Sequence, residues 1–180
     1  EMCIRDRIKV ERSESASLCV SGLSGVLTPD TIRHMNGAGK ELLGIPGIIG
    51  VDHIGIAVAN LDDAIGYYQS HFGAQLLHRE TNEGQRVHEA MIKIGNSVLQ
   101  LLAPSDASST IAKFLETKGA GVQQIAYTVN DLTAACDAAR KLGIRVLYDN
   151  AQRGTAGTHV NFLHPKDCGG VLVELVETKK

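Results

Sequence analysis

The sequence lacks several features that would set its class at once. None of its apolar runs approaches the roughly 20 residues that a spanning helix needs, which excludes a helical membrane span. Its four cysteines, Cys3, Cys19, Cys136 and Cys168, are scattered, with no C-x-x-C pair and no disulfide-dense spacing. This argues against a disulfide framework and fits a reducing, cytoplasmic setting. There is no excess of positive charge: the formal charge is −2 and the pI about 6.4, so a general nucleic-acid binder, which must neutralise phosphates, is not expected. The N-terminal segment has no continuous apolar core of a secretion signal, and Asp6, Glu11 and Glu14 do not suit a transit peptide.

What remains is a 180-residue chain, 43% hydrophobic and 21% charged, of ordinary globular composition. Its patterning changes near residue 47. Before that point Ser, Gly and short apolar pieces alternate without a period, and the opening "EMCIRDR" resembles translated adapter sequence from metagenomic reading frames. Residues 1–47 are therefore expected to be a non-core extension, disordered or in part not native, with Met35 as the native start. Residues 48–178 are expected to form one domain.

That domain contains an internal repeat. "VDHIGIAVANLDDAIGYY" and "VQQIAYTVNDLTAACDAA" align without a gap at an offset of 71 residues, matching Ile54 to Ile125, Val58 to Val129 and Leu61 to Leu132. Each copy reads as a strand followed by a helix. Asn60 is placed to cap the first helix and Asn130 or Asp131 the second, while Gly73 and Gly143 follow the helix ends. Further strands are expected at residues 75–80, 87–94 and 98–103, the last two joined by a tight Gly95-Asn96 turn, and at 144–148, 159–163 and 171–176. The fold class is thus α+β: two β-α-β-β-β modules, 49–104 and 121–178, joined by a linker helix over 109–119 and paired into one curved sheet.

Side chains alternate along a strand. His53 then shares a face with Gly55 and Ala57, and its repeat equivalent Gln124 shares one with Ala126 and Thr128. Gln100 lies among Val98 and Leu102, and its equivalent Glu174 among Leu172 and Val176. Taken singly, each is more often a hydrogen-bonded core or surface residue. Four intrusions at matching places in two copies are another matter, because an uncompensated buried polar group costs about 1–3 kcal/mol. One shared divalent metal satisfies all four, and an imidazole, two amides and a carboxylate suit Co, Mn or Mg-like ions better than a closed zinc site. Alternation sends Gln123 to the opposite face from Gln124, as a hydrogen-bonding or surface residue.

The stretches "VDHIGIAVANLDDAIGYY", "STIAKFLE", "IRVLYDNAQRGTAG" and "FLHPKDCGGVLVELVE" resemble the methylmalonyl-CoA epimerases, members of the vicinal oxygen chelate superfamily that includes glyoxalase I. The resemblance covers about residues 49–177. It implies a homodimeric isomerase acting on an acyl-CoA in propionate metabolism, holding a divalent metal through His53, Gln100, Gln124 and Glu174. Epimerisation of methylmalonyl-CoA would remove the α-proton to give an enolate and return a proton to the other face. The resemblance assigns the acid-base roles to Glu89 and Glu174; without it, Glu89 reads as a solvated strand carboxylate. The family usually has His at the position of Gln124, and the weaker amide donor predicts looser metal binding. His88 is expected to be exposed, and His164 to belong to a turn before Pro165. Lys113 and Arg153, with the "RGTAG" loop, are candidates for CoA phosphates but read equally as solvated charges. The alternatives are another enzyme on this scaffold, such as a glyoxalase-type isomerase, and a metal-free binding protein. An iron dioxygenase needs two His and one carboxylate, and Gln124 removes one His.

Overall fold

A computed structural model describes residues 44–177. The expected N-terminal extension lies outside the described residues up to 43. Ile45 already packs against the core of the second module, and the carbonyl of Gly47 accepts a hydrogen bond from Asn130 N (3.0 Å).

The first module runs β1 (Ile48–Ala57), α1 (Leu61–Phe72), β2 (Gln75–Asn82), β3 (Val87–Ile94) and β4 (Ser97–Pro104). Helix α2 (Thr110–Lys118) leads into the second: β5 (Gly121–Val129), α3 (Leu132–Lys141), β6 (Gln152–Arg153), β7 (His159–Leu163) and β8 (Leu172–Glu177). The caps predicted for α1 and α3 form, and α2 has one of its own. Asn60 Oδ1 accepts from Asp62 N and Asp63 N, Asp131 caps α3 through Ala134 N, and Ser109 caps α2. Gly73 closes α1 at a φ of 63°, a left-handed conformation that glycine adopts without strain.

The strands form one mixed sheet in the order β2-β3-β4-β1-β5-β8-β7-β6, curled into a half-barrel of the vicinal oxygen chelate type. Strands β1 and β5, the repeat equivalents, pair antiparallel at the centre, and each runs parallel to the last strand of its own module. Period-2 alternation divides the side chains between two faces. On one face α1 buries Leu61 and Ile65 against Ala90, Ile92 and Leu101, and α3 buries Leu132, Ala135 and Ala139 against Leu163 and Leu175. The other face carries the polar intrusions, flanked by Ala57, Leu102 and Ile111 under α2 and by Ala126, Val160 and Val176. No helix among the described residues is long and apolar enough to cross a membrane.

One expected strand is not formed. Over residues 144–148 only Val146 bridges to Leu163. Two backbone bonds flank this bridge, from Leu147 N to the carbonyl of Phe162 (2.8 Å) and from His164 N to that of Arg145 (2.9 Å), but their return bonds are missing: Phe162 N donates to Asn161 Oδ1 (2.8 Å) and Arg145 N to Asp167 Oδ2 (3.1 Å). Side-chain oxygens take the backbone N–H groups that a longer ladder would use.

Candidate active site

The sheet register arranges the polar side chains in two rows. In the first, Gly55 has Gln100 beside it on β4 and Gln124 on β5. In the second, Ala126 has His53 beside it on β1 and Glu174 on β8. Gly55 and Ala126 are themselves repeat equivalents, so each row is a small residue flanked by two polar ones. The four polar residues are all buried, none more than 5% exposed.

They converge on one point. His53 Nε2 lies 3.1 Å from Gln100 Oε1 and 3.3 Å from Glu174 Oε2. Gln124 Nε2 donates to Gln100 Oε1 (3.2 Å) and to Glu174 Oε2 (2.5 Å). His53 Nδ1 donates to Asp52 Oδ1 (2.8 Å), whose other oxygen accepts from Thr128 Oγ1 (2.7 Å). With Nδ1 occupied in this way, Nε2 presents either a lone pair or a proton to two oxygen acceptors. Burial works against an imidazolium here, yet the hydrogen bonds to Asp52 and Glu174 outweigh it and push His53 up to about 9. The centre therefore favours a positive charge. No three His, Cys, Asp or Glu residues gather around a metal position among the described residues; two of the four donors here are amides. An imidazole nitrogen, a carboxylate and two amides whose O and N ends interchange by a half-turn fit a divalent cation.

Beside this centre lies Glu89, 1% exposed. Gln100 Nε2 donates to its Oε2 (3.0 Å), while its Oε1 is buried with no hydrogen-bond partner. Burial, and after it the neighbouring Glu80 carboxyl, push Glu89 up to about 7. Glu80 sits directly across the β2–β3 ladder from Glu89. Burial resists its ionisation, but Arg153, Glu89 and His78 outweigh that and hold it at about 2.

Several contributors were not legible in the sequence. Thr155, in a 3-10 turn over Thr155–Gly157, accepts from Gln100 Nε2 (2.7 Å), which turns the Gln100 carbonyl oxygen toward the centre. Glu80 holds that loop through Arg153 Nη2 (3.1 Å) and Ala156 N (3.3 Å), so Arg153 is engaged within the protein. Asp52 enters through a bulge, the extra residue between the pairs Val51–Tyr127 and His53–Ala126. Gln123 is likewise extra between Gly55–Gln124 and Ile56–Val122. Strict alternation fails at both places. Gln123 and Gln124 consequently line the same cavity of about 260 Å³, walled by Leu102, Ile111, Phe162 and Leu172. Of the remaining candidates, His88 is exposed and meets Thr81, and His164 accepts from Lys166 N within its own turn.

Residues 52–162 match the model of the glyoxalase/bleomycin resistance protein/dioxygenase superfamily. The ethylmalonyl-CoA/methylmalonyl-CoA epimerase of Cereibacter sphaeroides is 38% identical over 127 residues, 69% of this chain and 95% of that protein. The mitochondrial methylmalonyl-CoA epimerase of Homo sapiens is 38% identical over 126 residues, 69% of this chain and 72% of that protein. Among solved structures, the methylmalonyl-CoA epimerase from Mycobacterium tuberculosis superposes with a TM-score of 0.73 at 48% identity, covering 77% of this chain and 94% of that one. A Streptomyces coelicolor methylmalonyl-CoA epimerase variant in complex with 2-nitronate-propionyl-CoA gives 0.72 at 42% identity, with coverage of 74% and 99%. With this fold and these relatives, the chain belongs to the methylmalonyl-CoA epimerases of the glyoxalase superfamily, isomerases that act on an acyl-CoA.

Proposed function

We propose that the protein interconverts the (2R) and (2S) forms of methylmalonyl-CoA, with Glu89 and Glu174 as the acid-base groups and His53, Gln100, Gln124 and Glu174 as ligands of a divalent cation such as cobalt or manganese. The observation that carries the reading is the convergence of four buried polar side chains from four strands: His53 Nε2 lies 3.1 Å from Gln100 Oε1 and 3.3 Å from Glu174 Oε2, and the Gln124 amide meets the same two oxygens. When bound, the cation would stabilise negative charge developing on the substrate's oxygens, worth several kcal/mol.

The protein's own groups supply the proton chemistry. A carboxyl pushed up to about 7 is poised to take and return a proton near neutrality. Glu89 comes from β3 of the first module and Glu174 from β8 of the second, so two carboxyls approach the centre from different strands, as inversion at one carbon requires. The cavity beside Gln124 has mixed walls, with Leu102, Ile111 and Phe162 facing Arg86 and Ser108, and offers room for a substrate that carries both apolar and polar parts.

Assembly as a homodimer and a cytoplasmic location belong to the same reading. Exposed Ile49, Val51 and Val122 on the two central strands support the first, and the free thiols of Cys136 and Cys168 the second.

Proton NMR in D₂O tests the activity. Methylmalonyl-CoA and ethylmalonyl-CoA should exchange the α-proton for deuterium, faster with added cobalt or manganese. Absence of exchange with both thioesters and both metals would overturn the reading in favour of a binding protein. By cobalt titration, Gln124→His should bind the metal more tightly, imidazole being the better donor; equal affinity would refute the assignment of Gln124 as a weak ligand.

A further inference from the structure

Gly55 stands in the first row between Gln100 and Gln124, and three observations explain why it has no side chain. A Cβ placed there would lie 2.5 Å from Cγ of Gln124, 3.1 Å from its Cδ and 3.3 Å from its Nε2. Carbon atoms in contact sit about 3.5–4.0 Å apart, so the first distance is prohibitive. The backbone itself does not call for glycine, since Gly55 is absent from the glycines with positive φ. The repeat equivalent, Ala126, carries a Cβ in the same relation to His53 and Glu174 and is completely buried. What excludes a side chain at 55 is therefore Gln124, which lies across the bare backbone to reach Gln100 Oε1 and Glu174 Oε2.

We infer that Gly55 is a positioning residue: the gap it leaves admits the Gln124 side chain to the centre and fixes its amide against Gln100 and Glu174. The inference rests on the proposed role of Gln124. Gln124 is only 5% exposed and its one open side is the adjoining cavity, so a methyl group at 55 displaces Cγ and carries the donor end away from Gln100 and Glu174.

The test is a cycle of Gly55→Ala, Gln124→Ala and the double variant, read by thermal midpoint and by titration with Co²⁺ alone. Gly55→Ala should lower the midpoint by on the order of 5 °C, as overpacking does, and weaken Co²⁺ binding about tenfold, as loss of ligand orientation does. In the Gln124→Ala background, where Cγ and Cδ are gone, the same substitution should change neither. An equal drop in midpoint in both backgrounds, or unchanged Co²⁺ affinity of folded Gly55→Ala, would overturn the inference. Should Gly55→Ala fail to fold, the double variant decides: its folding supports the contact and its failure overturns it. Lack of Co²⁺ binding by the unaltered protein sinks the metal reading, while the thermal cycle still judges the Gly55–Gln124 contact.

Discussion

Asp52 and Gln123 occupy equivalent places in the two modules: each is the extra residue of a bulge between β1 and β5, immediately before a polar residue of the centre. Asp52 uses that position to grip His53 Nδ1 (2.8 Å), whereas Gln123 faces the neighbouring cavity with its Oε1 unpartnered. One bulge orients the imidazole; the other opens onto the cavity beside the centre.

Asp52→Ala should loosen His53 without removing it. Outer partners of a ligand imidazole commonly contribute about 10–100-fold in affinity or activity, so Co²⁺ binding and α-proton exchange should both fall within that range. Thr128→Val, which leaves Asp52 in place but removes its second hydrogen bond, should show a smaller loss in the same titration.

Glu89→Gln should lower the rate of solvent deuterium exchange by about 10²- to 10⁴-fold, the usual contribution of a positioned acid-base group, and leave Co²⁺ affinity near the parent value. It should also alter the pH dependence of stability. A carboxyl raised to about 7 from an ordinary 4.5 stabilises the fold fully below 4.5 and loses that contribution as pH rises through 7. Between pH 5 and 8 the urea midpoint of the parent should therefore fall more than that of Glu89→Gln.

Asp167 provides an acid-side counterpart away from the centre. Arg145 Nε and Nη2 donate to its two oxygens at 2.7 and 2.9 Å, and Arg145 N adds a third bond at 3.1 Å. These contacts hold its carboxyl at about 2 instead of 3.8. The stabilisation is present above pH 3.8 and disappears as pH falls toward 2. Asp167→Asn should be less stable than the parent at pH 6 and converge with it near pH 2, measured by urea unfolding at both values.

The sequence carried much of this architecture because the repeat is encoded locally. The 71-residue offset, the caps at Asn60 and Asp131, and strict alternation bring His53, Gln100, Gln124 and Glu174 to one face, as the register shows. Alternation could not reveal the bulges at Asp52 and Gln123, because a bulge exists only relative to the partner strand. Nor could it find Thr155 or Glu80, whose contacts with Gln100 and Arg153 join residues 55 and 73 positions apart. Residues 144–148 have the composition of a strand, but a distant side chain, Asp167, takes Arg145 N, and Asn161 takes the facing Phe162 N. Long-range polar competition of that kind leaves no local periodicity.

Both rows of the centre cross the β1–β5 seam, each drawing one polar residue from either module. Neither module can therefore assemble the centre while the halves are apart, and any ligand bridging the rows acts as a clasp across the seam. Ligand binding to the folded form alone stabilises it in proportion to RT ln(1 + [L]/Kd). The separation of the two halves should thus become the slowest and most ligand-sensitive opening of the molecule, ahead of fraying at either outer edge of the sheet.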